Sequence, residues 1–338
     1  MTAKPFPSQS SPADSPSRSP HIPVFISGAD LIELVSLDAA IELVDGAMRE
    51  LSAGEVSAPQ RWAIPVAANG KLGLMPGVLK HPSLFGVKVL SMFETGPSSG
   101  LPSHQGLMLL FEGETGQPVA IVDAAQLTLL RTAAASAVAT RALARADART
   151  LALVGCGDQA PYHVAAISAV RPIDEVHLWN RSRPRADSLA EHLRANGARV
   201  KVHDEVEAAV KAADILCTLT SVIEPIVAGR WLVPGQHLNL VGASTVDQCE
   251  VDEAAVAAGR FFADCATHCR AQAGELARAI EAGVVDERWI AGEIGEVLSG
   301  KLAGRSDPSE ITIYKSLGHA AQDLVVAEAA WRLARPIV

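Results

Sequence analysis

The sequence contains no apolar run approaching the roughly 18 residues that a membrane-spanning helix needs, and its first 22 residues carry no apolar signal core. Basic residues are outnumbered. With 29 Lys and Arg against 38 Asp and Glu, the formal net charge of −9 argues against a nucleic-acid or anionic-membrane surface, since both attract basic patches. A small-molecule partner is expected instead. Cysteine is scarce: five in 338 residues, an odd number, reads as reduced thiols in a cytoplasmic protein rather than a disulfide framework. Cys265, His268 and Cys269 make one Cys-x-x-His-Cys cluster, but a second pair at zinc spacing is missing, so no metal is expected. No internal repeat of useful period occurs.

Residues 1–22, rich in Pro and Ser, cannot bury enough apolar surface to offset their ordering entropy and predict a disordered tail. The whole sequence is 49% hydrophobic, and beyond the tail, strand and helix patterns alternate, which indicates an α/β protein large enough for two domains. A strand at Val24 to Ser27 precedes helical spacing from Leu31 to Leu51, ended by Gly54. An Asn69-Gly70 hairpin turn joins two short strands, and further strands predict a mostly antiparallel sheet up to residue 120. Asp123 to Arg145 has no Gly or Pro and predicts a long helix crossing to a second domain. Strands and helices then alternate, with helices over Val251 to Ala258 and Ala271 to Glu281. A strand over Ile311 to Tyr314 precedes a final helix that should return to the first domain.

The stretch Leu151 to Ala160, LALVGCGDQA, carries the strongest chemical signal. Four apolar residues run into Gly155-Cys156-Gly157, then into Asp158-Gln159-Ala160. Gly155 permits a tight turn, Gly157 lets the backbone approach a pyrophosphate, and Ala160 lets a new helix pack close to the strand. A second strand, Glu175 to Trp179, follows a helical run, as a βαβ unit requires. After it stand Asn180, Arg181, Ser182, Arg183 and Arg185, with no acid to take a ribose hydroxyl. Arginines there suit a 2′-phosphate and predict NADPH, with NADH also possible. Thr218 and Thr220 end a later strand where such a sheet opens its ligand crevice.

A hydride-transfer enzyme also needs a substrate anchor and a proton donor. Arg61 and Lys88 lie in otherwise apolar strand patterns, and Arg131 in a helix stretch, Leu127 to Val138, that is otherwise apolar or small. Such cations are rarely buried unless paired. From the residues alone, a surface or salt-bridged role and an anion site both stand.

In combination, Met75-Pro76-Gly77, Lys88, Pro102-Ser103-His104-Gln105, Arg131-Thr132-Ala133-Ala134, the glycine turn, Val241-Gly242-Ala243-Ser244, Gly292-Glu293-Ile294-Gly295-Glu296 and Lys315-Ser316-Leu317-Gly318 resemble the ornithine cyclodeaminase and mu-crystallin family. The resemblance implies a homodimer. Its fold would be a Rossmann dinucleotide-binding domain (130–312) and a discontinuous α+β substrate-binding and dimerisation domain (23–129, completed by 313–338). It implies that Arg61, Lys88 and Arg131 hold a substrate carboxylate and assist proton transfer, with Met75 and Ser244 beside the substrate. It places His104, Thr132, Gly155, Cys156, Gly157, Asp158, Gln159, Asn180, Arg181, Ser182, Arg185, Thr218, Thr220, Val241 and Leu317 at the cofactor.

Family members that cyclise ornithine carry an aspartate where this chain has Ser244, and Asp247 is a turn away, so the resemblance is to the mu-crystallin-like, imine-reducing branch. The expected activity is NADPH-dependent reduction of an α-imino acid to the L-amino acid, most naturally a cyclic ketimine. Three rivals stay open: reduction of an acyclic imine (iminosuccinate, or pyruvate with ammonia), ornithine cyclodeamination, and a non-catalytic protein that retains NADPH or another small ligand.

Overall fold

The computed structural model describes residues 22–93 and 104–334; the expected tail, up to residue 21, lies outside the described residues. The chain opens with β1 (Val24–Ile26), α1 (Gly28–Leu34) and α2 (Leu37–Ser52), two helices where the apolar spacing predicts one. The break is a second start signal. Ser27 and Asp30 cap α1 reciprocally, and Ser36 caps α2 by accepting the Ala39 amide at 3.2 Å, each side chain meeting an amide that a helix start leaves bare. Apolar residues keep their face across Ser36, so the period conceals it.

β2 (Val56–Ser57), β3 (Trp62–Ala67), β4 (Gly70–Leu79), β5 (Leu84–Phe93), β6 (His104–Glu112) and β7 (Pro118–Asp123) join β1 in a seven-stranded sheet. Its order is β1-β7-β6-β5-β4-β2, with β3 paired to β4; β1 runs parallel to β7 and the other pairings are antiparallel. The hairpin between β3 and β4 turns at Ala68-Asn69, one residue before the expected Asn69-Gly70, because Gly70 already pairs with Phe93 in the ladder. Its missing side chain leaves room for that ring, which lies 2.3 Å from where a Cβ would stand.

α3 (Ala124–Leu143) is followed by β8 (Thr150–Val154), α4 (Gln159–Val170), β9 (Glu175–Trp179), α5 (Arg183–Ala195), β10 (Val200–Val202), α6 (Val206–Lys211), β11 (Ile215–Thr218) and β12 (His237–Leu240). Then come α7 (Glu253–Ala258), β13 (Arg260–Ala263), α8 (Ala266–Gln272), α9 (Gly274–Glu281), β14 (Ile290–Glu293), α10 (Ile294–Leu298), β15 (Thr312–Lys315) and α11 (Ala320–Ala334). The helix expected from Ala271 is thus two pieces, broken before Gly274, which packs so close to the Gln248 carbonyl that a Cβ would lie 2.0 Å from it.

The eight strands form a parallel sheet ordered β10-β9-β8-β11-β12-β15-β13-β14. Strand order reverses between β8 and β11, and that reversal opens a crevice at the strands' carboxyl ends. α3 touches α2 and β6 on one side and β12 and β15 on the other, which is why it is buried nearly all round. After β15 the chain leaves the parallel sheet, and α11 packs on α2, β4, β5 and β6.

Candidate functional site

At the end of β8, Gly155 takes φ +110, and a side chain there would crowd the Leu219 carbonyl at 2.9 Å. Gly157 is exposed with nothing within 4 Å of its absent Cβ, and Ala160 is fully buried where α4 meets the sheet. Asp158 precedes α4 without a side-chain cap bond, leaving first-turn amides for an anion. The Thr132 hydroxyl and the Gln159 side-chain carbonyl oxygen are buried without a hydrogen-bond partner. An open glycine turn, an uncapped helix start and two unmet polar groups fit a dinucleotide.

Other expected cofactor residues already have protein partners. Asn180 accepts the Cys156 amide at 3.1 Å and donates to the Ser182 carbonyl at 2.9 Å, tying the turn to the loop after β9. Cys156 is inert: burial pushes its thiol up to about 12. Thr218 and Thr220 donate their hydroxyls to buried Glu250 at 2.7 Å each, and Glu250 also accepts the Thr220 and Gly242 amides. Both hydroxyls therefore brace the strand end at which the crevice opens. Val241 and Leu317 are buried beside it. Arg181, Ser182 and Arg185 are exposed, whereas Arg183 is paired with Asp187 and Asp204. The side chain of His104 lies outside the described residues; its backbone opens β6.

The three cations do assemble. Lys88, on β5 directly opposite Met75 of β4, is fully buried. Its Nζ donates to Asp323 at 2.8 Å and to Thr128 at 3.3 Å. Arg131 donates through Nε to the same Asp323 oxygen at 3.0 Å and through Nη1 to Gln322 at 2.9 Å. Arg61, which immediately precedes β3 rather than lying within it, donates through Nη2 to the Leu317 and Gly318 carbonyls. Gly318 has φ +80, and a Cβ there would lie 2.5 Å from Arg131. Asp264 fixes this loop by accepting the Leu317 and Gly318 amides at 2.8 and 2.7 Å. Ser244 is half-buried and donates its amide to Gln248 at 3.1 Å; Asp247 is exposed.

Burial, then Arg131 and Arg61, push Lys88 down to about 7 against the pull of Asp323. Burial raises Asp323, but Lys88 and Arg131 outweigh it and hold the carboxyl below its usual range. Burial pushes Asp264 up despite its amide donors. With Lys88 protonated, three cations face two carboxylates, a surplus positive charge suited to a monoanion.

Asp264, Gln322 and Asp323 were not singled out as site residues by the sequence. Asp323 had a signal, an acid just before the apolar run Leu324 to Ala327 in the first turn of its helix. Cys265 and His268 do converge, but on His319 rather than Cys269, the three ligand atoms lying within 4.8 Å of one another; Cys269 is core. Burial, then His268, push His319 down to about 3.

The Ornithine cyclodeaminase/mu-crystallin family model matches residues 23–332. A Delta(1)-pyrroline-2-carboxylate reductase of Bacillus cereus is 33% identical over 306 residues, 90% of this chain and 94% of the relative. The structure of the Thermococcus litoralis enzyme of that name, in complex with NADH and L-proline, superposes with TM-score 0.89 at 33% identity, covering 92% of this chain and 97% of that one. An archaeal alanine dehydrogenase dimer with bound NAD gives TM-score 0.87 at 30% identity, over 92% and 96%.

Proposed function

Because the chain belongs to the ornithine cyclodeaminase/mu-crystallin family, we propose that it is an NAD(P)H-dependent reductase of α-imino acids. Its substrate is a cyclic ketimine such as Δ1-pyrroline-2-carboxylate or Δ1-piperideine-2-carboxylate, and its product the L-amino acid. The observation that carries this reading is the Lys88–Asp323–Arg131 cluster with Arg61 at its edge.

Arg61 engages the protein through Nη2 alone, and Arg131 through Nε and Nη1 alone, among the described residues. The remaining guanidinium hydrogens are free to clamp the substrate carboxylate. Lys88 spends two ammonium hydrogens on Asp323 and Thr128, and the third is available to the imine nitrogen. Its lowered pKa, about 7, poises it to release that proton near neutrality. The nicotinamide, when bound at the glycine turn, supplies the hydride. Asp323 orients Lys88 and Arg131 together and keeps the ammonium charged before transfer.

Arg181 and Arg185, exposed after β9, support NADPH, while the archaeal relatives were solved with NADH and NAD. Ser244 replaces a carboxylate with a hydroxyl, which disfavours cyclodeamination. The exposed apolar side chains Trp62, Ile64, Val66 and Val78 on β3 and β4 support a homodimer through this sheet. Among the described residues no helix is long and apolar enough to cross a membrane, and five free, buried cysteines support a cytoplasmic setting.

The test is loss of nicotinamide absorbance with both cyclic ketimines, pyruvate with ammonia, and oxaloacetate with ammonia, using NADPH and NADH in turn. Rapid oxidation with a cyclic ketimine is expected. Turnover confined to an oxo acid with ammonia would move the enzyme to the acyclic class, which the alanine dehydrogenase likeness keeps in view.

A further inference from the structure

Beside the carboxylate clamp, and using none of its residues, Cys265, His268 and His319 bring a thiol and two imidazoles together. Cys265 and His268, three residues apart at the start of α8, share one face of its first turn. His319 comes from the loop before α11 and stacks on His268, ring centroids 5.0 Å apart and planes 27° from parallel. All three side chains are buried. One residue holds both segments in register: Asp264 accepts the Cys265 amide at 2.7 Å through one oxygen and the Leu317 and Gly318 amides through the other.

We propose that Cys265, His268 and His319 form a binding site for a borderline-soft divalent cation of the zinc class, and that its occupancy weakens substrate binding. A thiolate and two imidazoles with a fourth position left to water is a donor set that zinc and cobalt accept. Bond lengths of that class put tetrahedral ligand atoms roughly 3.3–3.6 Å apart. The three atoms, within 4.8 Å of one another, therefore close by about an ångström. His319 meets the Ala321 amide through Nδ1 at 3.2 Å, a long bond that coordination gives up. Binding breaks the Cys265 S–H bond, forms a metal–sulfur bond, and releases the proton and the displaced metal waters to solvent. The thiolate offsets one of the two charges of the ion.

The coupling to substrate is geometric and rests on the clamp reading above. Arg61 is seated on the Leu317 and Gly318 carbonyls, and His319 is the next residue. Drawing His319 toward Cys265 shifts that seat.

The experiment titrates Co²⁺ into the reduced, metal-free full-length protein, read by thiolate-to-cobalt charge-transfer absorbance. One equivalent should bind, with ligand-field bands of tetrahedral intensity, and Zn²⁺ should displace it. Cys265→Ser, which leaves a favoured capping residue at the start of α8, should lose the charge-transfer band while retaining its circular dichroism and basal turnover. His319→Gln should weaken binding at least tenfold. Equimolar Zn²⁺ should raise KM for the imino acid in the parent protein and leave Cys265→Ser unaffected. Absence of the band, or a band that survives Cys265→Ser, overturns the site whether or not the protein reduces imines. Tight Co²⁺ binding with unchanged kinetics under Zn²⁺ overturns the coupling.

Discussion

Among the described residues, two fully buried lysine–carboxylate pairs differ in what surrounds them. Lys88 meets Asp323 at 2.8 Å, with Arg131 on the same carboxylate and Arg61 nearby. Lys315 meets Glu275 at 2.9 Å, donates to the Ala243 carbonyl at 2.6 Å, and has a second acid, Glu250, close by. The first pair has a surplus of cations, the second a surplus of acids. Glu250 satisfies itself on the Thr218 and Thr220 hydroxyls and the Gly242 and Ala243 amides, so its charge is met within the protein. The surplus around Lys88 meets no further carboxylate among the described residues, and under the proposed function a substrate carboxylate would match it. A buried ion pair is thus no mark of function by itself; the sign left over after local pairing distinguishes a site from a brace.

Substitutions can break that distinction. Lys88→Met should lower kcat/KM by about 10²–10⁴-fold, the range for loss of a general acid, while cofactor fluorescence titration shows binding retained. Lys315→Met should instead cost stability, about 3–5 kcal/mol for an orphaned buried carboxylate, read as a lower denaturation midpoint. A stable Lys315→Met protein would erase the contrast. Asp323→Asn removes the anion that holds the Lys88 proton, so the Lys88 pKa falls further. At neutral pH kcat/KM should drop about tenfold for each unit of that fall, and the pH profile should move to lower pH. The smallest effect tests the same rule at the surface: Arg181→Ala and Arg185→Ala, unpaired among the described residues, should lower NADPH preference by about tenfold or less. Arg183→Ala, whose guanidinium is occupied by Asp187 and Asp204, should leave it unchanged.

The parallel sheet and its glycine turn were legible because each depends on neighbours in sequence: an apolar strand, Gly155, Gly157 and Ala160 make the turn within ten residues. The cations were legible as anomalies, charges in apolar stretches, yet their meaning was not. The partner that joins Lys88 to Arg131 is 235 residues away from Lys88, a distance that no local pattern spans. Thr218 and Thr220 show the converse limit. Their place at a strand end was readable, but their bonding is set by Glu250, which arrives from beyond the next strand. The Ser36 cap and the Gly274 break were present as residue types and hidden by apolar periodicity that continued across them.

The most direct test of the account is the pH dependence of kcat/KM for Δ1-pyrroline-2-carboxylate across neutrality, in the parent protein and in Lys88→Met. If protonated Lys88 delivers the proton, as proposed, the parent should fall by about tenfold per pH unit above a midpoint near 7, and the variant should show a low rate without that limb. A Lys88→Met protein that retains both the parent rate and the parent limb would contradict it.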